Sequence, residues 1–160
     1  MNEVEIRRNT HKYKDFLATG GFGIIMLIVW GLIKGIIYIR WIVPQLTDVS
    51  EQAFSWTATG VNIIEFALCL FTGFFAKKSG KGDKKEKISL LICTIFVIIL
   101  GLAIAASDIY VVVQYNEYDL ISTISIIGDV LFLFFAGMIL FSILKLKQLY
   151  KMQKEVKDER

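Results

Sequence analysis

From Ile88 to Val113 the chain reads ISLLICTIFVIILGLAIAASDIYVVV, an apolar run broken by a single charge. A helix needs about 20 such residues to cross the hydrocarbon core of a bilayer. Three further stretches pass the same test: Phe16–Val43, Phe54–Ala76 and Leu120–Leu144. The polar segments between them are too short to fold as a second domain. The expected fold is therefore all-α, a polytopic membrane protein built as an up-down four-transmembrane-helix bundle with antiparallel neighbours. Composition agrees. The chain is 55% hydrophobic with a mean hydropathy of +0.58, where a soluble domain is usually nearer half apolar.

The expected organisation is a cytoplasmic segment 1–15, a transmembrane domain 16–144 and a basic helical tail 145–160. The first apolar run is far longer than the core of a cleaved signal, so it reads as a retained anchor. Segment 1–15 is polar and mixed in charge, which suits a short interfacial helix or an unstructured leader.

Threading follows from the cations. Arg7, Arg8, Lys12 and Lys14 precede the first run. Lys77, Lys78, Lys81, Lys84, Lys85 and Lys87 crowd the loop 77–87, and six more basic residues, starting with Lys145 and Lys147, follow the last run. The connections PQLTDVSEQ and QYNEYD hold none. Basic residues stay cytoplasmic in short loops, so both termini and loop 77–87 are expected in the cytoplasm of a cell carrying the protein in its inner or plasma membrane. Of 18 basic residues, only Lys34 and Arg40 fall inside a span.

These two cations meet three intramembrane carboxylates. Glu65 falls at the middle of its span, with Asp129 and Lys34 displaced outward by roughly 5 and 7 Å, and Asp108 and Arg40 by roughly 11–15 Å. Each charge at the centre of a membrane helix costs about 2.5–3.5 kcal/mol on insertion scales. Facing one another, or facing water, is the economical arrangement. Neighbouring polar residues fall on matching stripes: Asn62, Glu65, Cys69 and Thr72; Ser122, Ser125 and Asp129 beside Gly128; Gly101, Ala105 and Asp108; Gly31, Lys34 and Tyr38. Gly31 and Gly35 form a G-x-x-x-G that permits close helix approach.

Two readings of this network compete. It is either a buried set of ion pairs that fixes register with little net stability, or an ion pathway in which the excess carboxylate titrates or coordinates a cation. Glu65 and Asp129 are the leading candidates, with Lys34, Asp108, Arg40, Asn62 and Ser125 around them.

Catalytic apparatus is not visible. Phosphate loop, zinc-protease and serine-elbow motifs are missing, and no cofactor or metal is implied. SIIGDV lacks the first glycine of the G-x-G-D aspartyl-protease motif, because Ile126 stands there. Cys69 and Cys93 have no C-x-x-C spacing and read as small core residues. The lone His11 lies in the leader. The lysines of loop 77–87, with Lys145 and Lys147, suit anionic lipid or an anionic cytoplasmic ligand such as a nucleotide or oligonucleotide. In the tail, Leu146, Leu149 and Val156 make a short heptad-like seam that could support self-association.

In layout the chain resembles small four-span bacterial membrane proteins, among them ion-conducting effector subunits, immunity proteins and small transporters. The leading expectation is a homo-oligomeric, cation-preferring or proton-linked pore, because four helices hardly enclose a conduit. The alternative is a non-conducting membrane interaction protein, an immunity factor or accessory subunit of a larger complex. A small proton-coupled transporter stands third.

Overall fold

A computed structural model describes residues 3–37, 49–82, 88–115 and 120–158. They form four helices, α1 (Glu3–Ile37), α2 (Val49–Lys81), α3 (Ile88–Tyr115) and α4 (Leu120–Asp158). Three of these, α1, α3 and α4, carry stretches long and apolar enough to cross a membrane. Around the bundle, consecutive helices touch, α4 closes against α1, and the α2–α3 contact is the thinnest of the four.

Length separates α1 and α4 from a minimal span. Their 35 and 39 residues extend about 52 and 58 Å, against a hydrocarbon core of about 30 Å. The surplus is charged and lies at one end, the basic end. Residues 3–15, read from sequence as an interfacial or unstructured leader, instead continue α1 without a break. The reason is a partner. Tyr13 meets Phe141 edge-on at 5.8 Å between ring centroids, and Ile6, Leu146 and Leu149 are all buried. Leu146 belongs to the core that α1 shares. The tail seam is therefore occupied within the chain, and Leu146 and Leu149 are not offered to a second copy. Glu3 and Glu5 sit in the first turn of α1, and Lys78 and Lys81 in the last turn of α2. Both placements suit the helix macrodipole.

Small residues let α1 wedge between α2 and α4. A Cβ on Gly21 would meet the Gly73 carbonyl oxygen at 2.5 Å and the Lys77 nitrogen at 2.6 Å. One on Gly80 would meet the Lys14 carbonyl oxygen at 2.5 Å and the Ala18 nitrogen at 2.7 Å. On the other side, Gly20 and Gly23 face Phe135 and Ile139 of α4. The segment ATGGFG (18–23) thus carries two backbone-close faces. By contrast, a Cβ on Gly31 would meet nothing within 4 Å. Gly31, the first glycine of the expected packing motif, touches no neighbour among the described residues.

The core follows from this wedge. Leu17, Ile24, Ala76, Val97, Ala136, Ile139 and Leu146 have no exposed surface, and all belong to one cluster toward the basic end. Outward-facing positions are apolar instead of polar: Phe22, Met26 and Val29 on α1, Phe96, Ile99 and Leu102 on α3, Val130, Phe134 and Phe141 on α4 are all exposed. Exposed apolar surface on this scale exceeds what a soluble monomer carries and is compatible with a lipid surrounding.

Candidate functional site

The candidate site is the set of polar side chains in the apolar segments beyond the core. Each carboxylate lies on the far side of the core from the basic end. On α3, Asp108 follows the buried Leu90 and Val97; on α4, Ser125 and Asp129 precede Ala136; on α2, Glu65 precedes Cys69 and Ala76. Glu65, Asp108 and Asp129 are all half-buried. None of the three stands fully out on the apolar belt.

Asp108 and Ser125 are brought together. The Ser125 hydroxyl donates to Asp108 Oδ2 at 2.7 Å, tying α3 to α4, and Ser125 itself is buried. Asp129 lies one turn along α4 from Ser125, on the same helical face. On α2, Cys69 and Thr72 continue the stripe below Glu65; both are buried, and Thr72 Oγ1 finds no hydrogen-bond partner among the described residues. The other buried hydroxyls satisfy themselves locally. Thr94 donates to the Leu90 carbonyl at 2.7 Å and Ser142 to the Met138 carbonyl at 2.7 Å.

Arg40, Lys84, Lys85 and Lys87 lie outside the described residues, as do the side chains of Lys34 and Asn62. The expected pairing of Lys34 with Glu65 or Asp129, and of Arg40 with Asp108, lies outside them for the same reason. Asp108 has a hydroxyl partner in Ser125.

Ser125→Ala measures that bond. Interhelical hydrogen bonds in membrane proteins average about 0.6 kcal/mol and reach about 1.7, while a charged acceptor pushes toward the upper part of the range. A double-mutant cycle of Ser125→Ala with Asp108→Asn, read by thermal unfolding in detergent, should give a coupling of about 1–1.5 kcal/mol. A coupling near zero removes the pair from the packing of α3 on α4.

No family model, curated protein or solved structure matches the chain.

At the basic end the lysines divide by environment. Lys78, Lys81 and Lys147 are exposed, while Lys77 and Lys145 are half-buried. Lys77 stands over the Phe22 ring at 5.4 Å, and Lys145 and Lys12 over Phe141 and Phe16 at 5.7 Å each. Ammonium groups on aromatic faces, with their stems along apolar surface, are the arrangement expected where a helix leaves lipid for water. Lys14 is set apart from these lysines. Its side chain is buried (9% exposed), and its ammonium donates to the Gly82 carbonyl at 2.6 Å, just past the end of α2. The signal was present in GKG (80–82), because small residues at a helix end permit another chain segment to close on it. Among the described residues, no group of three His, Cys, Asp or Glu side chains is placed to hold a metal.

Proposed function

We propose that the chain is a four-span membrane protein whose copies assemble into an ion-conducting pore. It would be cation-preferring or proton-linked through Glu65 and Asp129, and gated from the cytoplasm by an anionic ligand such as a nucleotide. Span two, Phe54–Ala76, completes the four. The observation that carries the reading is the division of α2, α3 and α4 into a dry half and a half that carries a carboxylate. Toward the basic end the bundle is filled by fully buried apolar side chains such as Leu17, Ile24, Val97 and Ile139. Such packing leaves no room for water, so conduction through a single bundle is blocked there. Beyond it, three half-buried carboxylates stand where acid groups normally mark ion or proton routes. An acidic ring assembled from several copies favours cations.

The test is ion flux in liposomes carrying the purified protein, with Asp129→Asn and Glu65→Gln. The expected result is a fall of at least tenfold in cation or proton flux for one of the two substitutions with helicity unchanged. Unchanged flux in both removes the carboxylates from the mechanism.

A second reading is supported by α1 and α2 away from the core. Cβ positions on Gly31 and Gly60 are open to 4 Å, and small residues allow a foreign helix to approach closely. A non-conducting interaction protein, an immunity factor or accessory subunit, would use such faces. Mass measurement in mild detergent separates the two: a defined homo-oligomer favours the pore, and a conductance-free monomer favours the interaction protein.

A further inference from the structure

We infer that the cleft between the basic ends of α1 and α4 is a binding site for a phosphate-bearing anion. The site does not depend on conduction.

The cleft is half-open, with a volume of about 340 Å³, and is lined by Arg7, Thr10, His11, Lys14 and Gln153. That volume falls within the range of small-ligand sites, about 300–1,000 Å³. The four α1 residues recur at i, i+3, i+4 and i+7, which places them on one helical face. Gln153 stands on the opposite wall, contributed by α4.

The donors differ in kind, and the difference matters for an anion. Lys14 is the floor. Its bond to the Gly82 carbonyl and its burial hold a positive charge in place before any ligand arrives, where solvent ions screen it least. Arg7 is the adaptable wall. Its planar fork matches two oxygens of a phosphate. Its pairing with Glu3 is one turn long, 4.0 Å, and well exposed, the kind of contact that is worth little and yields to a better partner. His11 and the Gln153 amide add further donors. Thr10 does not, because its hydroxyl donates to the Ile6 carbonyl at 2.8 Å. The acids nearby in sequence, Glu3, Glu5, Asp15 and Glu155, are exposed, and none lines the cleft.

Position narrows the source of the phosphate to two. The apolar run of α1 starts at Phe16, where Lys12 stands over the ring. Lys14 and Arg7 precede Phe16 by roughly 3 and 14 Å along the helix, the depth of lipid headgroups and of the water beneath them. The ligand is thus a phospholipid headgroup or a soluble phosphate compound.

The experiment uses the full chain in uncharged detergent at fixed ionic strength. Pyrophosphate and ATP are titrated calorimetrically, and retention of phosphatidic acid against phosphatidylcholine is read by native mass spectrometry. The Arg7→Ala/His11→Ala double variant, at two exposed positions, is compared with Lys78→Ala/Lys147→Ala, which removes more fixed charge from exposed sites elsewhere. The cleft variant should lose at least tenfold in affinity for the probe that binds, and the control less than threefold. Binding of pyrophosphate or ATP assigns the site to a soluble ligand, and selective retention of phosphatidic acid alone assigns it to a headgroup. Equal losses in the two variants, or no preference for any phosphate probe, would overturn the site.

Discussion

Replacing Gly21 by valine should unfold the α1–α2 contact, and it carries one of the two largest effects expected of a single substitution here. The new Cβ would sit 2.5 Å from the Gly73 carbonyl oxygen and 2.6 Å from the Lys77 nitrogen, with the Ala76 Cβ at 3.0 Å. The first two are backbone atoms of a helix, which cannot rotate aside as a flexible side chain can. Overpacking ordinarily costs about 1–3 kcal/mol; with a rigid partner and a β-branched side chain, about 3 kcal/mol or more is expected. The whole of α1 would have to shift, and α1 is also clamped to α4 through Gly20 and Gly23. Gly31→Ala is the matched control on the same helix. Nothing stands within 4 Å of its Cβ, so the change adds helix propensity alone, a gain of about 0.5–1 kcal/mol. Thermal unfolding in detergent should separate the two variants in opposite directions from the parent. If both destabilise equally, the wedge is not where α1 is held.

The contrast between Gly21 and Gly31 also shows what the sequence could tell. Length and apolarity alone predicted an all-helical chain, and Ile88 and Leu120 are the first residues of α3 and α4, as read from sequence. Those signals are local: they depend on runs of side chains and on nothing distant. Which glycine meets a neighbouring helix is not local. Gly31 and Gly35 had the spacing associated with close packing; among the described residues the close approaches of α1 are made by GGFG (20–23), because α1 must face two helices at once, and the surroundings of Gly35 lie outside the described residues. The continuation of α1 back to Glu3 was hidden for a related reason. A mixed-charge segment such as EVEIRRNTHKYKD has no strong pattern of its own, and it is helical because Ile6 is buried and Tyr13 packs on Phe141 of α4. In the candidate site, the stripes Gly101/Ala105/Asp108 and Ser122/Ser125/Asp129 pointed only to polar faces turned toward a shared interior, and the bond from Ser125 to Asp108 adds a specific pair between α3 and α4. Helical spacing is enough to place a residue on a face. It does not say which neighbour answers a charge, and the Ser125 hydroxyl is one partner of Asp108.

Lys14 shows the same gap between charge and environment, and it yields the other large prediction. As one of the basic residues before the first span it counts simply toward topology, yet its side chain is buried and its ammonium closes the end of α2 at Gly82. Lys14→Met keeps most of the volume of the stem and removes only the charge and its donors. A hydrogen bond to a charged group is worth about 1.5–3 kcal/mol, and the positive charge also faces the negative end of the α2 dipole, for a further fraction of about 0.3–1 kcal/mol. The loss should therefore be about 2–3 kcal/mol. Lys12→Met, one half-turn earlier and exposed, gives up only an ammonium over the Phe16 ring at 5.7 Å, worth about 0.5–1 kcal/mol at an exposed site. The local readout is hydrogen exchange at residues 78–82. A loss of 2 kcal/mol corresponds to roughly thirtyfold faster opening, confined at first to the last turn of α2 because the Gly21–Gly73 contact lies further along the helix. Exchange there that is unchanged by Lys14→Met would mean that α2 ends without help from α1, and the fixed cation at the floor of the cleft would lose its structural basis.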